Sequence, residues 1–191
     1  MNIAFFVFIM AFVFPFSAIA QESQEEKPSE TKVGALLGKQ GAVITKTFIP
    51  VESPHGCLSG QISFEALKIT VAGSQTPSLG MKVSIKDTSS RIERERGVLL
   101  DMDELDGLIT AVDYMLAKSA EMKGKPSPYT EVKYATRDAF NMGFYLTADG
   151  KMGYFATAGR IGGINCFTSS ENLLMKAKSS AESTKKLFAK P

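Results

Sequence analysis

The chain has 191 residues, 44% of them hydrophobic and 22% charged, with a formal net charge of +2. That is enough for one domain with a sizeable core, and the charge gives no global drive toward nucleic acid or an anionic membrane. One His and two Cys are too few for a usual tetrahedral zinc site, and no cofactor is expected.

Residues 1–20, MNIAFFVFIMAFVFPFSAIA, carry no charged side chain and end in Ala18-Ile19-Ala20, a small-x-small cleavage pattern after the break at Pro15. They read as a signal peptide, although no Lys or Arg precedes the apolar run, and a retained anchor is the alternative. No Cys follows directly, which argues against a lipid-anchored form. The expected location is exported, either periplasmic or secreted. Residues 21–32, QESQEEKPSETK, cannot bury apolar surface and read as a disordered spacer. A single domain is expected over 33–191.

Export changes the meaning of Cys57 and Cys166. In an oxidising compartment an even pair is a disulfide candidate, and a loop of about 110 residues would gain several kcal/mol from closure. Two separate buried thiols are the alternative, because spacing alone does not decide.

Alternating apolar residues predict strands in chain order. Val43 to Ile49 runs into Pro50. Ile62 to Val71 changes parity midway, which suggests a bulge. Met81 to Lys86 and then Arg91 to Leu100 follow. Met102, Leu105, Ile109, Val112 and Leu116 recur at helical spacing and predict a helix ending before Gly124. Val132 to Thr136, Phe140 to Leu146 and Met152 to Ala158 return to period two, with Asp149-Gly150 marking a hairpin. A strand at Ile164 to Phe167 precedes a last helix with Leu174, Ala177, Ala181 and Phe188 on its stripe and Lys185, Lys186 and Lys190 near its end.

The fold class is therefore α+β: antiparallel sheet with two helices. Residues 40–122 and 129–190 share one order, strands and then a helix. The helix entries at Asp101 and Thr168 lie 67 residues apart, each with Glu three positions on. This suggests a tandem duplicated unit of three or four strands and a helix.

Several motifs invite chemistry. Val98 to Leu105, VLLDMDEL, resembles the first motif of the haloacid dehalogenase phosphatase superfamily. The resemblance implies Asp101 as nucleophile, Asp103 as acid/base and a Mg²⁺-dependent phosphohydrolase. The chain departs from that pattern at Leu105 and has no acidic pair downstream to close a metal site. The same residues also read as a helix start. Asp101 is an N-cap, Glu104 closes a capping box, and Asp103 and Asp106 sit in the first turn, a weak cation site at most. A helix-loop-helix calcium loop counted from Asp101 fails, because Leu105, Asp106 and Val112 fall where a ligand, Gly and Glu belong.

Gly34 to Gln40 lacks P-loop spacing, and His55 lies only two residues from Cys57, a poor geometry for a nucleophile and its base. On the sheet, Tyr134, Phe144, Tyr145, Tyr154 and Phe155, with Arg137 and Arg160, are residue types that stack and neutralise a single-stranded nucleic acid. That reading opposes the small charge and the expected export. No catalytic constellation emerges. The expected role is non-enzymatic binding or assembly, with a protein or a small molecule as partner.

Overall fold

A computed structural model describes residues 31–189. Residues 1–20 and most of the 21–32 spacer lie outside the described residues. Thr31 and Lys32, at the spacer's end, already belong to the fold. Thr31 Oγ1 accepts the Gly34 amide at 3.1 Å and caps a short helix, α1 (Lys32–Leu37).

The first sheet holds β1 (Ile44–Pro50), β2 (His55–Cys57), β3 (Gly60–Val71), β4 (Ser78–Asp87) and β5 (Arg94–Asp101). Its path is β1-β3-β4-β5, all antiparallel, with β2 also paired to β3. A 3-10 turn at Met102–Glu104 leads into α2 (Leu105–Met122). The second sheet is a meander of β6 (Thr130–Ala135), β7 (Phe140–Leu146), β8 (Met152–Ala158) and β9 (Ile164–Thr168), followed by α3 (Asn172–Phe188). The Asp149-Gly150 hairpin forms as expected, with Gly150 at φ 80°.

One continuous core joins the inner faces of both sheets to α2 and α3. Phe64, Met81, Val83 and Leu100 meet Phe140, Met142 and Phe144 there, and β9 packs against β2 to β5. Burial of this apolar surface is the main favourable term. The helices run antiparallel, and Lys185 pairs with Asp106 while Lys178 pairs with Asp113 at 2.6 Å.

Three expectations need correction. The parity change in β3 is not a bulge, because its register with both β1 and β4 is continuous. Ile62 and Phe64 face the main core, whereas Leu67 and Ile69 face the other side, where Val33 of α1 covers them. The buried stripe of α2 is Leu105, Leu108, Val112, Met115 and Ser119, with Met102, Ile109 and Leu116 at its margin.

The 67-residue correspondence holds for element order but not for side-chain direction. Val98 and Leu100 are buried, while Asn165 and Phe167, their counterparts at that offset, are exposed. The second entry is also capped differently. Thr168 Oγ1 accepts the Ser170 amide at 3.2 Å, Ser170 Oγ accepts the Asn172 amide at 3.2 Å, and the Glu171 side chain makes no cap bond.

Cys57 and Cys166 form a disulfide, with Cα atoms 5.1 Å apart. It ties β2 to β9 and so joins the two sheets, and the Leu58 N–H donates to the Phe167 carbonyl beside it at 2.8 Å. Disulfides persist in oxidising compartments. Among the described residues no helix is long and apolar enough to cross a membrane.

Candidate functional site

Among the described residues, helices cover only the inner face of the second sheet. Along β7 the apolar residues Phe140, Met142, Phe144 and Leu146 all point inward, so Asn141, Gly143 and Tyr145 point outward. The registers assemble the outer face in rows. Glu131 lies opposite Tyr145, and Tyr145 opposite Gly153. Lys133, Gly143, Phe155 and Phe167 form the next row, and Asn141, Thr157 and Asn165 the third.

The result is an open groove of about 730 Å³. Two glycines, Gly143 and Gly153, lie in its rows. A Cβ on Gly143 would stand 2.0 Å from the Val132 carbonyl oxygen, and one on Gly153 would stand 2.3 Å from the Tyr145 ring. Tyr145 therefore lies across the sheet instead of standing up from it.

Four rings form a ladder in the groove. Tyr129 stacks on Tyr145 with centroids 6.3 Å apart, Tyr145 meets Phe167 edge-on at 6.5 Å, and Phe167 meets Phe155 at 6.4 Å. Tyr129 is 61% exposed, and its hydroxyl donates to Glu131 Oε2 at 3.1 Å. The far end is polar. Thr136, Asn141, Thr157 and Arg160 line it, as does Ala139, a non-glycine residue held at φ 57°. That left-handed conformation costs about 1 kcal/mol or more.

The expected sheet-face residues thus divide. Tyr145 and Arg160 line the groove, and so does Phe155. Tyr154 and Phe144 lie on the inner face, Tyr154 only 3% exposed, and burial pushes the Tyr154 hydroxyl above its ordinary pKa. Tyr134 turns toward α2, where a Cβ added at Gly107 would stand 2.9 Å from its hydroxyl oxygen. Tyr129, Phe167, Lys133 and Asn141 are further groove residues. The inward apolar set of β7 is the signal that could have placed Tyr145 and Asn141 outward.

Arg137 belongs to a different structure, a clasp over the acidic cluster. Its guanidinium lies 3.2 Å from Asp101 Oδ2 and 3.3 Å from Glu104 Oε2, and it also bonds Asp103. Both oxygens of Asp101 accept backbone N–H groups of α1, from Lys32 at 2.7 Å and Val33 at 3.0 Å. Glu104 Oε2 accepts the Asp101 amide at 3.0 Å, the returning arm of the capping box, and Glu104 Oε1 accepts the Arg137 amide at 2.9 Å. Asp106 stands apart on Lys185.

The clasp therefore joins α1, the start of α2 and the β6–β7 turn. Asp101 and Asp103 border only a shallow recess of about 300 Å³. Among the described residues no group of three His, Cys, Asp or Glu side chains is arranged to hold a metal ion. Comparison with known protein families, curated proteins and solved structures finds no match to this chain.

Proposed function

We propose that this protein is an exported, non-enzymatic binding protein that holds a small ligand against the outer face of its second sheet. One observation carries the reading: a groove of about 730 Å³ that none of the described residues covers, with a four-ring ladder along it. That volume lies within the ordinary range for small-molecule sites, roughly 300–1,000 Å³. Tyr129 and Phe167 are exposed, Tyr145 is half-buried and Phe155 is buried beside them, and aromatic groups held on a rigid sheet cost little conformational entropy to use.

The native chain should bind the uncharged dye N-phenyl-1-naphthylamine, with a rise in dye emission. Tyr145→Ser and Phe167→Ser should each weaken that binding at least fivefold. Absence of binding by the native chain, or binding by both variants as tight as the native chain's, overturns the reading. So does Mg²⁺-dependent hydrolysis of para-nitrophenyl phosphate that Asp101→Asn abolishes.

Export is supported by the apolar leader ending in Ala18-Ile19-Ala20 and by the disulfide between the sheets. Sequencing the N-terminus of protein recovered outside the cytoplasm should read from Gln21. A start at Met1 would mean that the leader is retained.

A further inference from the structure

The second sheet ends at an open edge. Among the described residues β6 pairs with β7 alone, and its Glu131, Lys133 and Ala135 are exposed. A free edge offers N–H and C=O groups to another strand. The phase of the hydrogen bonds shows which residues offer them. The Thr136 N–H donates to the Phe140 carbonyl at 2.9 Å, and the Gly159 N–H donates to the Ala139 carbonyl at 3.2 Å. Even-numbered residues of β6 therefore turn their backbone groups to β7. Glu131, Lys133 and Ala135 turn theirs outward.

Antiparallel pairing of β6 with itself about a two-fold axis must set these outward residues opposite one another. An axis at Lys133 sets Lys133 against Lys133, and an axis at Glu131 sets Glu131 against Glu131, so both repel. An axis at Tyr134 sets Lys133 against Ala135. An axis at Val132 sets Glu131 of each copy against Lys133 of the other, so the opposite charges meet twice on one face. Neither side chain has an ion pair among the described residues, and Glu131 accepts the Tyr129 hydroxyl at 3.1 Å.

Apolar surface lies beside the same edge. On the inner side of β6 a groove of about 590 Å³ opens against α2. Gly107, Thr110, Ala111 and Tyr114 form one wall and Val132 and Tyr134 the other, and Tyr114 is 61% exposed.

We propose that the chain forms a two-fold dimer through β6, with the axis at Val132 and with Glu131 and Lys133 paired across it. The four strands of each second sheet then run on into those of the other copy, and the two apolar grooves close on each other. The dimer does not depend on a ligand. β1, the free edge of the first sheet, has no such register, because Lys46 is its one charge and it ends in Pro50, which lacks an N–H.

Sedimentation velocity over a range of concentrations should show the native chain passing from one to two chains per particle. Glu131→Lys sets like charges opposite each other on both sides of the axis, and so does Lys133→Glu. Each should weaken the dimer by about tenfold or more. An equimolar mixture of the two variants should associate as tightly as the native chain, because each supplies the charge that the other lacks. The double variant Glu131→Lys/Lys133→Glu, which swaps the pair, should do the same. Far-UV circular dichroism identifies any variant that has lost its fold. Amide exchange at Glu131 and Lys133 should slow as the dimer forms, with no change at Lys46 on the edge of β1.

A native chain that stays monomeric at every concentration overturns the proposal, and so does a dimer indifferent to both reversals. Failure of both the mixture and the swap to associate overturns it as well. Slow exchange at Glu131 and Lys133 in a protein that stays monomeric would mean that another stretch of the same chain occupies the edge, which also overturns it.

Discussion

Removing the Cys57–Cys166 disulfide should lower the free energy of unfolding by about 4–5 kcal/mol. The pair closes a loop spanning 109 residues, about two thirds of the described residues. In the loop-entropy account, releasing a closure of that length returns that much freedom to the unfolded state. The folded state loses something as well. β2 is only three residues long, and the bond to Cys166 and the Leu58 amide to Phe167 are its ties to the second sheet.

The experiment is urea unfolding of the native chain with and without reductant, alongside Cys57→Ser/Cys166→Ser. The midpoint should fall sharply in both altered forms. A shift worth less than about 1 kcal/mol would mean that the sheets are held by their apolar faces alone.

Arg137→Met should cost about 2 kcal/mol, a value set below that of fully buried pairs because the Arg137 side chain is 35% exposed and partly screened. Its loss leaves Asp101, Asp103 and Glu104 facing one another without the cation that reaches all three. Asp101 suffers most, being 4% exposed, whereas Asp103 is 53% exposed and water compensates it. Asp103→Asn should therefore cost well under 1 kcal/mol. If the two substitutions prove equal, the clasp is not acting through buried charge.

Acid acts on the same group. The Arg137 guanidinium, and then Lys32, hold the Asp103 carboxyl below its ordinary value of 3.8. A carboxylate depressed on folding contributes stability that is present above the unfolded value and lost as pH falls through the folded one. The wild-type acid limb should accordingly steepen below about pH 4 relative to Arg137→Met.

The outline of this fold was legible because the strands and helices keep their periods. The Asp149-Gly150 turn and the Cys57–Cys166 pair appear where residue type alone suggests them. What was missed depends on faces and on distant partners. Residue type alone groups Tyr134 and Tyr154 with Tyr145, yet the hairpin register sets Tyr154 opposite inward Phe144. In β8 both faces are apolar, so periodicity alone could not assign them.

Ile62 to Val71 looked bulged because one straight strand serves two cores, and α1, which makes the second core, is too short to announce itself by periodicity. Asp101 was readable as a helix cap. That its carboxylate caps α1, 68 residues earlier in the chain, and answers to Arg137 emerges only once the sheets are packed.

The alternation in β7 has one more consequence. Neighbouring residues there serve different ends: Phe144 builds the core, and Tyr145 lines the groove. Point substitutions can therefore retune the groove without touching the fold, and repack the fold without touching the groove. A single inserted residue has no such freedom. It would turn Tyr145 into the core and a phenylalanine out to water, so both roles would fail together. Drift in this strand should proceed by replacement, with its length held constant.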